Sequence, residues 1–412
     1  MTAHAIDTLV EEARDLLTEA TSMRRDLHTW PELGNHNPRT RDRILEALEP
    51  LHLDITTHQQ TSGMTALLTG ALPGPTVLLR ADTDALAMPE DTGLDFSSRV
   101  DGTMHACGHD THVAMLVGAA RLLAARRDTL RGRVLLMFQP GEEGHHGAKY
   151  MLDEGLLDIP PLADGTPSPI TGAYALHTTS AAPTGFIASR TGPIMASADR
   201  LLITVTGRGG HASEPFRALD PIPIACEIVQ ALQIMVTRRI SVFDPSVVTV
   251  GRITSGTAHN VIPETAEIEG TIRAISERTR SQVHDGIKRV AEGIAAAHEA
   301  SVTVEIEAGY PVTINSDSGA EFALNTVGDL VGNDRIIRLP HPVMGAEDFS
   351  YVLQRVPGAM LFLGATPLDR DLGKAAPNHS NRVFFDEQCM VTGMALHAAM
   401  ALRHLDNPSL SV

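Results

Sequence analysis

The chain has 412 residues and a formal charge of −17, with 43% hydrophobic residues and a mean hydropathy near zero. That length holds two or three domains with real cores. The acidic balance excludes the basic surface that a nucleic-acid partner requires, and no apolar run is long enough to span a bilayer. The cysteines, Cys107, Cys226 and Cys389, are odd in number and far apart. They argue against a disulfide framework and for a reducing, cytoplasmic setting. The segment Met1 to Thr18 lacks a basic stretch followed by an apolar core, so it reads as part of an amphipathic helix rather than a signal peptide.

In chain order, apolar residues recur at helical spacing over Ile6–Leu27 and again over Thr40–Leu48. Thr76–Ala81 is a short continuous apolar run of the kind found in sheets buried on both faces. A helix over His112–Ala125 and a second buried strand over Val134–Phe138 follow, and the alternation predicts an α/β layered domain. The Pro/Gly/Asp-rich stretch Asp158–Pro169 is a surface loop. From Ala196 the pattern changes to strand Arg200–Thr206, helix Leu219–Arg239, strands Ser246–Ile253 and Ala266–Ile275, helix Glu277–Ala300 with Ser276 as N-cap, and strand Ser301–Ala308. That β-α-β-β-α-β order predicts a ferredoxin-like unit. After Tyr310-Pro311 the α/β character returns, with a helix over Phe322–Leu330 and a strand over Ala359–Leu363. The expected organisation is a discontinuous domain, 1–195 with 309–412, interrupted by an inserted domain, 196–308.

Four apolar runs end in groups able to bind metal or move protons. They are Leu78–Asp82 continuing to Asp84, Val134–Gln139 continuing to Glu142-Glu143, Gly172–Leu176 ending at His177, and Ala359–Leu363 leading to Asn378-His379-Ser380. Ligands collect outside the carboxyl ends of strands in open α/β sheets, and thiolate, imidazole and carboxylate together suit a transition metal. Cys107-Gly108-His109 can direct two donors at one ion, and the polar crowd His105, His109, Asp110 and His112 is costly to bury unless paired or metal-bound. Adjacent Glu142 and Glu143 need a cation or a shared proton. In a metal hydrolase one of them ligates and the other moves the proton of the attacking water. Asp82 can orient a histidine ligand, and Asp84 reads as a turn or capping residue. Taken singly, His177, His379 and His211 read as structural or turn histidines, and Arg273 as solvated surface.

Taken together, the runs His28–Leu33, Arg80-Ala81-Asp82-Thr83-Asp84, Cys107-Gly108-His109-Asp110, Pro140–Gly144, Gly210-His211-Ala212, His259–Pro263 and Gly345–Phe349 resemble the M20 family of metallopeptidases and amidohydrolases. The closer likeness is to its aminoacylase-like branch, which includes hippurate and auxin-conjugate hydrolases. Arg80 stands where broader members carry the histidine of a His-x-Asp motif. The resemblance implies a metal-dependent exopeptidase-like α/β catalytic domain with an inserted ferredoxin-like α+β lid and dimerisation domain, in a homodimer. It also implies hydrolysis of N-acyl amino acids with one or two divalent ions per subunit, of zinc, manganese, cobalt or nickel. By motif, Cys107, His109, Glu143, His177 and His379 would be ligands. Glu142 would be the general base, Asp82 an accompanying catalytic residue and His211 an oxyanion stabiliser. Asn260 and Arg273 would hold the substrate carboxylate.

Within the hydrolases the competing reading is a dipeptidase or carboxypeptidase, or an N-acetyl diamino-acid deacetylase. From another class it is a non-catalytic metal or small-molecule binding protein, a reading that the presence of Glu142 disfavours.

Overall fold

The computed structural model describes residue 6 and residues 8–407. The remaining residues of the expected N-terminal helix, 1–5 and 7, lie outside them. The described chain divides into two compact units: Met1–Ile194 with Ile314–His341 and Tyr351–Val412, and Met195–Thr313 with Pro342–Ser350.

The first unit opens with α1 (Leu9–Thr29) and α2 (Pro38–Leu48), followed by strands β1 (Asp54–Thr57), β2 (Met64–Thr69) and β3 (Leu72–Asp82). Next come α3 (His109–Ala124), β4 (Arg131–Gln139), α4 (Gly147–Asp153), β5 (Ile170–Pro183) and β6 (Ile187–Ser189). The helix expected from His112 begins three residues earlier, so His109 lies in its first turn. His177, expected at a strand end, sits inside β5, because small and β-branched residues carry that strand on to Pro183.

The second unit contains β7 (Asp199–Thr206), β8 (Gly210–His211), α5 (Pro221–Arg239), β9 (Ser246–Ser255), β10 (Val261–Ile262), β11 (Thr265–Ala274), α6 (Glu277–Ala297) and β12 (Ser301–Ala308). Its four-stranded sheet runs β9-β11-β7-β12, antiparallel throughout. Alternating residues Leu201, Ile203 and Val205 are buried on one face with Ile224, Ile228 and Leu232 of α5 and Val283 and Ile287 of α6. Ser276 caps α6 by accepting the N–H of Thr279. This unit also takes in Pro342–Ser350, a stretch that the linear reading leaves with the C-terminal segment.

The chain completes the first unit with α7 (Asp317–Val331), β13 (Ile336–Arg338), β14 (Gly358–Thr366) and α8 (Cys389–Asp406). Periodicity did not single out α8 because it is buried almost all round and carries no polar stripe. The sheet runs β1-β2-β4-β3-β5-β14-β6-β13. Its centre, β4-β3-β5-β14, is parallel, with Asp82 opposite Gln139 and Leu176 opposite Leu361. These four strands therefore deliver their carboxyl ends to one edge. Helix α3 packs against α1, α8 and the sheet. It meets α8 through paired glycine–methionine contacts: a Cβ at Gly118 would stand 2.1 Å from Met394 Sδ, and one at Gly393 would stand 1.9 Å from Met115 Sδ. No helix among the described residues is long and apolar enough to cross a membrane.

Candidate metal centre

Cys107 and His109 flank Gly108, which caps α3 with a φ of +88°. A side chain at Gly108 would be strained by that backbone and would meet Phe385 and Thr178 at 3.2–3.3 Å. Glycine therefore lets the thiol and the imidazole stand one residue apart on a tight corner. Cys107 Sγ lies 3.4 Å from His177 Nε2 and 3.3 Å from His379 Nε2. Glu143 Oε1 lies 3.1 Å from His379 Nε2 and 3.9 Å from His109 Nε2. The five residues expected as ligands are thus together. They form two overlapping groups of three, Cys107/His109/His177 and Cys107/Glu143/His379, with Cys107 in both.

Hydrogen bonds assign the imidazole tautomers. Nδ1 of His109 donates to the carbonyl of Asp84 at 2.8 Å, and Nδ1 of His177 donates to the carbonyl of Thr178 at 2.9 Å. Each ring therefore presents the lone pair of Nε2 to the cluster. His112 differs: its Nε2 accepts the Thr178 N–H at 2.7 Å and its Nδ1 donates to Asp82. Both nitrogens are engaged, so His112 holds the scaffold and is no ligand. Asp82, expected as a residue that can orient a ligand, binds His112, accepts from Arg80 Nη1 at 2.7 Å, and has its Oδ2 3.2 Å from His109 Nε2. The reason is register: Arg80 and Asp82 lie on the same side of β3, and His112 is one turn along α3 from His109.

His379 is reached by a long loop after β14 and is pinned there. Its N–H donates to the Ala106 carbonyl at 2.9 Å, and the neighbouring Asn378 Nδ2 donates to the Thr178 carbonyl at 2.9 Å. Its φ of +67° is uncommon for a residue with a Cβ, and surrounding contacts hold it there.

Buried Nε2 of His109 and Oε1 of Glu143 make no hydrogen bond. They lie within ion-pairing distance of neighbours but out of hydrogen-bond alignment. Buried polar atoms left that way are costly, and a cation among them supplies the missing partner. The donor set therefore fits a divalent transition metal. The electrostatics agree in part. Burial lowers His109, but Asp82 and Cys107 outweigh it and hold the imidazole well above its ordinary value. Cys107 and Glu143 raise His379 to about 10, so a metal would displace a proton from each. Burial resists ionisation of Asp82, but Arg80, His109 and His112 outweigh it and hold its carboxyl well below the usual range. Burial pushes the Cys107 thiol up, reinforced by Glu143. Burial holds His177 well below its ordinary value, which keeps it neutral for ligation.

A second buried polar network braces the same corner from behind. Asp110, adjacent to His109, accepts from Arg24 Nε at 2.7 Å and from His28 Nδ1 at 2.8 Å. Arg24 Nη1 continues to Glu387 at 3.2 Å. Sequence reading left Arg24 as a helix residue and His28 as the first residue of a motif run. Their spacing of four on the buried face of α1 was the available signal.

In the second unit, His211 is exposed in β8, opposite Val261 of β10, with Nδ1 2.8 Å from Ser213 Oγ. Asn260 is brought beside it, its carbonyl accepting the Ala212 N–H at 3.1 Å. Arg273 is half-buried on β11 opposite Val247.

A family model described as peptidase family M20/M25/M40 matches residues 78–403. Thermostable carboxypeptidase 1 of Saccharolobus solfataricus is 36% identical over 405 residues, covering 97% of this chain and 98% of the relative. An N-acetylcysteine deacetylase of Bacillus subtilis is 38% identical over 348 residues, covering 84% of this chain and 88% of the relative. The crystal structure of the Bacillus subtilis YXEP protein, described as a dinuclear metal binding peptidase from the M20 family, superposes with a TM-score of 0.80 at 32% identity, covering 95% of this chain and 99% of that one.

Proposed function

The chain belongs to peptidase family M20/M25/M40 and is a metal-dependent hydrolase of amide bonds; on that premise we propose that it cleaves N-acyl amino acids to a carboxylic acid and a free amino acid. What carries the reading is the convergence of a buried thiol and two buried imidazoles with a half-buried carboxylate and the exposed His379, with His109 Nε2 left without a hydrogen bond, beside a second glutamate, Glu142, on the same turn. In this reading Cys107, His109, His177, Glu143 and His379 hold the metal. The shared place of Cys107 in both donor groups favours two ions. A mixed thiolate, imidazole and carboxylate set takes zinc, manganese, cobalt or nickel. When bound, the metal polarises the scissile carbonyl and brings the pKa of water towards about 7.

Glu142 accepts the proton of the attacking water and returns it to the departing amine. Burial at 5% exposure strengthens both transfers by keeping bulk water from competing. Asp82 and His112 keep the ligand-bearing segments in register. His211 donates to the developing oxyanion, and Asn260 and Arg273 hold the substrate carboxylate, for which a guanidinium is suited by its forked donors. The second unit acts as the lid and pairs subunits in a homodimer. Its exposed Phe216, Ile234, Val242 and Phe243 support an interface role. Three free cysteines support a cytoplasmic setting.

The test is Glu142→Gln. Turnover should fall by about 10³-fold or more while metal content and KM hold; near-normal turnover overturns the assignment. A carboxypeptidase reading is favoured by the name of the Saccharolobus relative. Assay of hippurate, N-acetyl amino acids and dipeptides side by side separates the two, since preferential dipeptide cleavage would replace the proposal.

A further inference from the structure

Of the five candidate ligands only His379 is exposed, with 54% of its side chain accessible. Nδ1 of His109 and of His177 is tied to a backbone carbonyl. Among the described residues, Nδ1 of His379 makes no hydrogen bond. Neither burial nor its own ring therefore fixes this imidazole, and the backbone that carries it has to. That backbone is a loop, ordinarily the most mobile part of a fold. Further along, Arg382 Nε meets Asp91 at 2.7 Å, but both side chains are exposed, and such pairs contribute little.

The side chain of Asn378 supplies a fastening on the inner side. Its Nδ2 donates to the Thr178 carbonyl at 2.9 Å and to the Cys107 carbonyl at 3.3 Å, and stands 4.0 Å from Cys107 Sγ. Its Oδ1 accepts the Ser180 N–H at 3.0 Å and the Ser180 hydroxyl at 3.3 Å. These partners fix which way the amide faces, because carbonyls only accept and a backbone N–H only donates. An amide has two hydrogens to give and two lone pairs to receive, and here all four are used. A carboxylate of the same shape has no hydrogen for the two carbonyls. The Thr178 carbonyl also accepts Nδ1–H of His177 at 2.9 Å, so one acceptor serves a ligand ring and the loop together.

We propose that Asn378 is the positioning residue of His379: its amide fastens the loop to the segments that carry Cys107 and His177, and so closes the donor group Cys107/Glu143/His379. This rests on the ligand roles given above. The other group, Cys107/His109/His177, shares only the thiol with it. Its imidazoles keep their own bonds to the carbonyls of Asp84 and Thr178 when the amide is lost. Removing the amide therefore weakens the metal that His379 helps to hold and spares thiolate ligation.

The experiment titrates cobalt(II) into the full chain as wild type, Asn378→Ala, Asn378→Asp, His379→Ala and the double variant Asn378→Ala with His379→Ala. The affinity compared is that of the ion that His379→Ala weakens. Each Asn378 variant should weaken it by about tenfold or more. Asp should lose at least as much as Ala, since it keeps the shape and gives up both donors. The thiolate-to-cobalt charge-transfer band from Cys107 should remain. The double variant should bind within about threefold of His379→Ala alone, because Asn378 acts through His379. Wild-type affinity in a folded Asn378 variant, additive losses in the double variant, or loss of the charge-transfer band overturns the proposal. Failure of both single Asn378 variants to fold does so too, because Asn378 would then support the fold. If His379→Ala itself weakens no ion, the ligand reading of His379 falls and takes the proposal with it; a loss in His379→Ala without one at Asn378 overturns the proposal alone.

Discussion

Replacing Asp110 by Ala should destabilise the first unit heavily. Asp110 is fully buried and Arg24 is 1% exposed. Burial opposes ionisation of Asp110, but Arg24 and His28 outweigh it and hold the carboxyl far below its usual range. Removing it strands a buried guanidinium that keeps one bond to Glu387 at 3.2 Å, and an imidazole that keeps Glu90 at 3.3 Å. Breaking a buried pair from one side costs about 3–5 kcal/mol, against a total stability of roughly 5–15 kcal/mol. Trp30, the single tryptophan, caps the carboxyl end of α1 two residues from His28, so its fluorescence reports on this region. With a urea slope of about 3 kcal/mol per molar, the midpoint should fall by about 1–1.7 M. Adding Arg24→Met removes the stranded charge, so the double variant should lose less than the sum of the singles by about 2 kcal/mol. A midpoint shift below about 0.3 M, or strict additivity, would refute the reasoning.

Buried neutral histidines should make the fold acid-sensitive. Burial holds His397 at about 3 and His404 at about 4, against 6.5 for the free side chain. The unfolded chain therefore takes up protons first as pH falls below 6.5, and stability is lost from there down to pH 3–4. At pH 4.5 the loss is on the order of 2 kcal/mol per histidine. His397→Leu should narrow the gap between urea midpoints at pH 7 and pH 4.5; an unchanged gap would remove His397 from the account. Gly393→Ala sets a methyl against Met115 between two buried helices and should cost roughly 1–3 kcal/mol, read as a lower Tm. An unaltered Tm would mean that Met115 moves aside freely.

Most of the elements were legible because their periodicity is local. Strand β12 is expected and found at Ser301–Ala308, and α6 starts at the Ser276 cap. Legibility failed where burial is complete. Helix α8 shows no polar face to set a period, and β5 runs past His177 on residues of middling hydropathy. The candidate donor set was readable from residue type and motif order, because a thiol, imidazoles and adjacent glutamates are chemically conspicuous.

What holds those ligands was not readable. Asp84 looked like an ordinary turn residue, and Asp110 and His112 like members of a polar crowd that burial would have to pair or bind to metal. Their work depends on contacts 25 to 86 residues distant along the chain, and linear spacing carries no information about which N–H or carbonyl a side chain will meet. Sequence alone thus determined the chemistry available to this protein: a soft and hard mixed donor set beside a second carboxylate, in an acidic α/β chain. Only the tertiary structure decided which nitrogen each histidine presents. A tautomer is set by the partner of the other ring nitrogen, and packing alone brings those partners, the carbonyls of Asp84 and Thr178, into place.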